Sequence, residues 1–133
     1  MKFVSRLTLA AILFAPIAGC GGSNALAPQN QPEVVNTPNA KFSFQATLLQ
    51  DVSDVLSYSW SVSSGHIIIH PATSITGGSL SLTIKDAAGS MIYDGPIPPS
   101  GDITPPGGTA GLWHIRVTFT NYTGTINFRL QMQ

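Results

Sequence analysis

The sequence predicts an all-β domain, an antiparallel β-sandwich of jelly-roll or immunoglobulin-like type, set behind a cleaved signal peptide and a flexible tether. Three observations predict it. Five stretches alternate apolar and polar residues with period two, the pattern of a strand with one buried and one wet face. Glycine, proline, asparagine and aspartate separate those stretches, as turns require. No window carries a helical apolar stripe with caps.

The chain opens with a basic segment containing Lys2 and Arg6, and an apolar run over 7–18 follows it. That run is 12 residues long and holds Pro16. A membrane-spanning helix needs about 20 residues, and a proline inside a helix costs roughly 3 kcal/mol, so the run reads as a secretory signal and not as an anchor. It ends in Ile17-Ala18-Gly19-Cys20, and Cys20 is the only cysteine. This ending resembles the lipobox of bacterial lipoproteins. The resemblance implies that residues 1–19 are removed, that the Cys20 thiol carries a diacylglyceryl group and that the new N-terminus is acylated. Position 21 is glycine. In enteric lipoproteins an aspartate there retains the protein in the inner membrane, so the resemblance points to an outer membrane of Gram-negative type.

Residues 20–40 follow as lipidated cysteine and tether. The stretch GGSNALAPQNQPEVVNTPNA contains three prolines and is otherwise mostly small or polar. Such a segment buries too little surface to offset its ordering entropy. Val34-Val35 is its one apolar pair, and the alternative reading makes it an edge strand.

The domain proper is expected over 41–133. Phe42, Phe44, Ala46 and Leu48 alternate with polar residues, as do Leu56, Tyr58, Trp60 and Val62. Leu80, Leu82 and Ile84 form a third run, and Trp113, Ile115, Val117 and Phe119 a fourth. The fifth holds Ile126, Phe128, Leu130 and Met132. Between runs three and four, Asp86-Ala87-Ala88-Gly89 reads as a hairpin turn with glycine supplying positive φ. Thr123-Gly124 reads as a tight reversal before the last strand. His66-Ile67-Ile68-Ile69-His70 does not alternate and fits a short strand covered on both faces, ended by Pro71. The segment 94–111 carries five prolines and five glycines and reads as a long loop.

Hydrophobic residues make up 43% of the chain, enough for a core, while charged residues make up only 9%. Of six basic side chains, Lys2 and Arg6 belong to the signal, leaving four against six acidic ones. With no basic patch to neutralise phosphates, nucleic acid is excluded as a partner. With Cys20 lipidated, neither a disulfide nor a thiolate site can form.

Tyr58-Ser59-Trp60-Ser61-Val62-Ser63-Ser64-Gly65 resembles an aromatic-alternating strand of the bacterial pre-peptidase C-terminal domain and related jelly-roll modules. Leu80-Ser81-Leu82-Thr83-Ile84 with the following turn and Tyr93 resembles the central hairpin of that family. Ala110-Gly111-Leu112-Trp113-His114-Ile115-Arg116-Val117 resembles its C-terminal pair. Ser79 and Ser81 stand where an acidic residue is often found there, so the resemblance carries no calcium site.

Few residues are spaced for chemistry. His66 and His70 lie about 13 Å apart along a strand, too far to chelate one ion without a bend. His114 could approach either from a neighbouring strand; otherwise the three histidines are rim side chains. Carboxylates fall mainly at expected turns, and none has the spacing of a calcium loop. No Gly-x-Ser-x-Gly elbow is present. Trp60, Trp113 and Tyr58 fall on apolar faces and are expected in the core. Tyr93 and Tyr122 lie at strand ends and are the candidate exposed aromatics. In the long loop, Asp94, Ile97, Asp102 and Ile103 are the candidate interaction residues: the isoleucines either fold back as a flap or face outward as a small apolar patch. The expectation is a non-catalytic envelope lipoprotein, without metal or cofactor, presenting a sandwich to a protein or glycan. The alternatives are a metal- or calcium-dependent binding module and a small hydrolase.

Overall fold

A computed structural model describes residues 26–27 and 30–133. The expected signal peptide, the expected lipidation site Cys20 and part of the expected tether lie outside them. The described residues form six strands: β1 (Glu33–Thr37), β2 (Lys41–Val62), β3 (Ile67–Pro71), β4 (Ser74–Lys85), β5 (Met91–Pro96) and β6 (Gly111–Met132). All pairings are antiparallel, in the order β1-β2-β6-β4-β5, with β3 also on β6. The expected all-β class is what the structure shows.

The two long strands explain how one sheet makes two layers. β2 and β6 are 22 residues each. Straight, each would run about 70 Å, far beyond the size of a domain of this length. Both bend instead. Their register slips between Ala46 and Leu49, between Leu49 and Val52, and between Val52 and Asp54. β4 slips at the same level, between Ile75 and Gly77 and between Gly77 and Ser79. Positive φ angles gather there: Leu48 at 56°, Asp51 at 49°, Gly78 at 72°, Asn121 at 47° and Gly124 at 143°. Such bulges bend a strand without ending its pairing.

The first layer therefore holds β1, residues 41–46 of β2, residues 126–131 of β6, and β3. The second holds residues 54–62 of β2, 111–119 of β6, 79–85 of β4, and β5. Their inner faces meet in an aromatic cluster. The Phe44 ring stacks on Phe128 at 5.4 Å within the first layer and reaches Tyr58 at 5.9 Å and Phe119 at 6.4 Å in the second. Trp60 and Trp113 are fully buried, as their alternation requires. Their indole N–H groups are satisfied by the carbonyls of Thr37 and Thr109, at 3.0 and 2.8 Å.

Four sequence expectations need correction. Thr123-Gly124 does not reverse the chain: β6 runs through it, and a Cβ on Gly124 would lie 2.0 Å from the Ser74 carbonyl oxygen. The glycine lets β4 and β6 touch at the bend. Leu48 does not continue the inward row, because the bulge turns Leu49 into the core and leaves Leu48 out. The segment expected as tether contributes β1, so the edge-strand alternative for Val34-Val35 describes it. Leu26, a lone leucine in that polar stretch, is buried with the core.

Candidate functional site

The loop after β5 is a strap. It leaves β5 at one edge of the second layer and reaches β3 at the edge of the first. Ile97 is buried, and Ile103 exchanges two backbone hydrogen bonds of 2.9 Å with Ile69. Thr73 fastens the middle, its hydroxyl donating to the Pro98 carbonyl at 2.9 Å and its amide to Pro99 at 3.1 Å. With the isoleucines spent this way, no outward apolar patch exists on the loop. Asp102 turns instead to His70, Oδ1 to Nδ1 at 2.7 Å, and Asp94 accepts from the Thr83 hydroxyl at 3.2 Å.

Of the two aromatics expected at the surface, Tyr122 is in the core and Tyr93 is only partly exposed. Tyr122 is fully buried at the bend, with its hydroxyl donating to the Thr125 carbonyl at 2.9 Å and shared with Ser74 at 3.3 Å. Burial raises its phenol above the usual tyrosine value. Tyr93 is half-buried against the core, and its hydroxyl donates to the Pro96 carbonyl. Its phenol is also raised, chiefly by burial and further by the Asp94 charge.

Nor do the histidines converge. His70 lies on the outer face of the first layer and His114 on that of the second, because β3 pairs only with the last residues of β6. His66 sits at the end of the sandwich against Gly107, where a Cβ would lie 2.4 Å from its ring. Among the described residues no three histidine, cysteine or acidic side chains gather as a metal would need. Asp86 is the one buried carboxylate in this region. The Thr109 amide donates to Oδ2 at 2.8 Å, and the Ser90 and Ala88 amides donate to Oδ1 at 2.8 and 3.0 Å. Those donors, Thr109 foremost, hold its carboxyl below the usual aspartate value despite burial. Its role is to tie the β4–β5 turn to the strap.

What the structure does assemble is a groove of about 650 Å³ over the outer face of the second layer. Cross-strand register builds it. Ser57 of β2 lies opposite Arg116 of β6, which lies opposite Thr83 of β4. One pair further on, Ser59 lies opposite His114 and His114 opposite Lys85, with Met91 of β5 beyond. These side chains stand on the wet face, while Tyr58 and Ile115 line the floor from core positions. Lys85, His114 and Arg116 are exposed, and none has a carboxylate within 4.0 Å among the described residues. Ser59 Oγ and His114 Nδ1 are 3.5 Å apart. Among the described residues no carboxylate lies within 4.0 Å of His114 to complete that pair as a relay would.

No sequence motif marks this groove. Its residues are ordinary polar members of alternating runs, and only the register between β2, β6, β4 and β5 brings them together. No protein-family model matches the chain, and no curated protein matches it.

Proposed function

We propose that this chain is a non-catalytic envelope lipoprotein, anchored through Cys20, whose sandwich offers the second-layer groove to a glycan bearing carboxylates. The groove carries the reading. Two of the four basic side chains left after signal removal, and one of three histidines, share a rigid sheet surface with the hydroxyls of Ser57, Ser59 and Thr83. Donors dominate. A lysine and an arginine standing clear of any carboxylate can meet an anion without first breaking an ion pair, and arginine can grip a carboxylate with two parallel bonds. The Ser57 and Ser59 hydroxyls suit sugar oxygens, while the Thr83 hydroxyl is held by Asp94, and the Met91 thioether offers soft apolar contact. Since the cations are exposed, their attraction falls with ionic strength.

Amide NMR of residues 26–133, titrated with solubilised peptidoglycan fragments and with a neutral oligosaccharide, tests this. The expected result is perturbation at 57–59, 83–85 and 114–116 by the acidic fragments, weakened by salt and abolished by Arg116→Ala. Absence of any shift with the fragments, or equal shifts in the Arg116→Ala variant, would overturn the groove as the binding face.

A further inference from the structure

The bent end of the sandwich has a property that the groove does not use. Leu48 is 80% exposed, the most exposed large apolar side chain among the described residues, and it holds a left-handed φ of 56° that leucine rarely adopts. Ile75, 43% exposed, lies at the same end, pairing with Gly124 beside Leu49. Around them stand Thr47, Gln50, Thr76, Thr120 and Asn121, all exposed and uncharged. Asp51 is the exposed acid there, and its carboxylate accepts from the Asn121 side chain at 2.9 Å. No lysine or arginine falls in 47–54, 74–79 or 119–125.

The chain arrives from its N-terminal side at this same end. Leu26 is buried in the core, and its amide donates to the Asp54 carboxylate at 3.4 Å. Asn30 closes a turn by donating to the Ala27 carbonyl at 2.9 Å, and its side chain donates to the Leu48 carbonyl at 3.4 Å. Cys20 is six residues before Leu26. Six residues span at most about 20 Å even when fully extended.

We propose that the bent end rests on the lipid surface, with Leu48 inserted at the headgroup–acyl boundary and Ile75 beside it. The proposal rests on the lipid anchor at Cys20. Once the acyl chains are in the bilayer, a docked Leu26 keeps the bend within the span of six residues, so a single leucine contacts lipid at high effective concentration. The rim is uncharged apart from Asp51 and Asp54 and holds no lysine or arginine, so the contact is apolar and gains nothing from anionic lipid. One leucine would not hold an unanchored domain on a membrane. Its effect is orientation: the bend faces the bilayer, and the Asp86 turn with Gly107-Gly108 points away from it.

Site-directed fluorescence on the lipidated, full-length protein tests the proposal. Cys20 is the only native cysteine and is blocked when acylated, so Leu48→Cys and Ala88→Cys each give a single labelling site. In vesicles of phosphatidylethanolamine and phosphatidylglycerol, an environment-sensitive dye at position 48 should shift to the blue and be quenched by doxyl-labelled lipid. The same dye at position 88, in the far turn, should stay water-like. Mass spectrometry of the labelled protein reports the Cys20 lipid separately. A water-like signal at position 48 with that lipid present overturns this proposal alone. Absence of the lipid overturns the anchor and this proposal together. A blue shift at 48 that appears only with envelope proteins present, without quenching by doxyl lipid, overturns it in favour of a protein partner.

Discussion

Gly78 and Gly89 provide a matched pair that tests whether the bend depends on backbone contact. Both have left-handed φ angles, 72° and 82°. An alanine Cβ at position 89 would meet nothing within 4 Å. At position 78 it would lie 2.0 Å from the Asn121 carbonyl oxygen and 2.4 Å from that of Thr120. The left-handed conformation costs an L-residue roughly 1–2 kcal/mol, offset by about 0.4–1 kcal/mol from the stiffer unfolded chain. Gly89→Ala should therefore cost about 1 kcal/mol. Gly78→Ala bears the same conformational cost and must also push β4 from β6 by more than 1 Å, an overpacking strain of about 1–3 kcal/mol more. Its total, about 2–4 kcal/mol, is a large part of the 5–15 kcal/mol that typically holds a domain together. Urea unfolding followed by the fluorescence of the buried Trp60 and Trp113 measures both variants on one scale. Equal losses, within about 0.5 kcal/mol, would refute the argument that close approach of β4 and β6 at Gly78 makes the bend.

Two further predictions follow from buried ionisable groups. Because amide donors lower the folded-state carboxyl of Asp86, its contribution is complete above the ordinary aspartate value and is lost as pH falls through the folded value; wild type should therefore lose melting temperature below about pH 4. Asp86→Asn should melt lower at neutral pH and show a flatter acid limb, and an unchanged acid limb would remove Asp86 as its source. Tyr58, Tyr93 and Tyr122 all have raised phenols, so their stabilisation is present below pH 10 and lost as pH rises through the folded values. Tyr122→Phe, which also leaves the Thr125 carbonyl without its hydroxyl donor, should cost about 1–2 kcal/mol and weaken the alkaline limb; tyrosinate absorbance appearing near pH 10 in the folded protein would contradict it.

The class of fold was legible because burial obeys period two over most of each strand. Its topology was not, because the decisive signal is where that period fails. Inward positions run 42, 44, 46, then 49 and 52; on β6 they run 113 to 119, then 122, then 126. Each three-residue step is a phase slip at a bulge, and a phase slip looks locally like the end of one strand and the start of another. Two bent strands consequently read as four shorter ones with a turn at Thr123-Gly124. The same slip misplaced individual side chains. Tyr122 directly precedes the apparent Thr123-Gly124 turn, so it reads as exposed, yet at a bulge it faces the core. Leu48 fits an apolar row that the bulge has already inverted.

The groove was hidden for a different reason. Alternation assigns Ser57, Ser59, Lys85, His114 and Arg116 to wet faces but says nothing of which wet faces are neighbours. Pairing β6 with β2 on one side and β4 on the other puts residues 59, 114 and 85 in a single row, although they are 55 and 29 positions apart in sequence. The bulges that bend β2 and β6 also separate the outer faces. Register along 54–62 and 111–119 sends His114 and Arg116 outward on the second layer, while the slipped register along 41–46 and 126–131 sends Lys41 and Arg129 outward on the first. Four basic residues on three strands are thus divided between opposite surfaces by the bend at whose level Leu48 is exposed. A sandwich made by folding one sheet has its outer faces, its edge strap and its bent end coupled through those few residues. Losing the close approach at Gly78 should therefore disturb the register of the β6–β4 pair, and with it the rows that form the groove, before it disturbs the first layer.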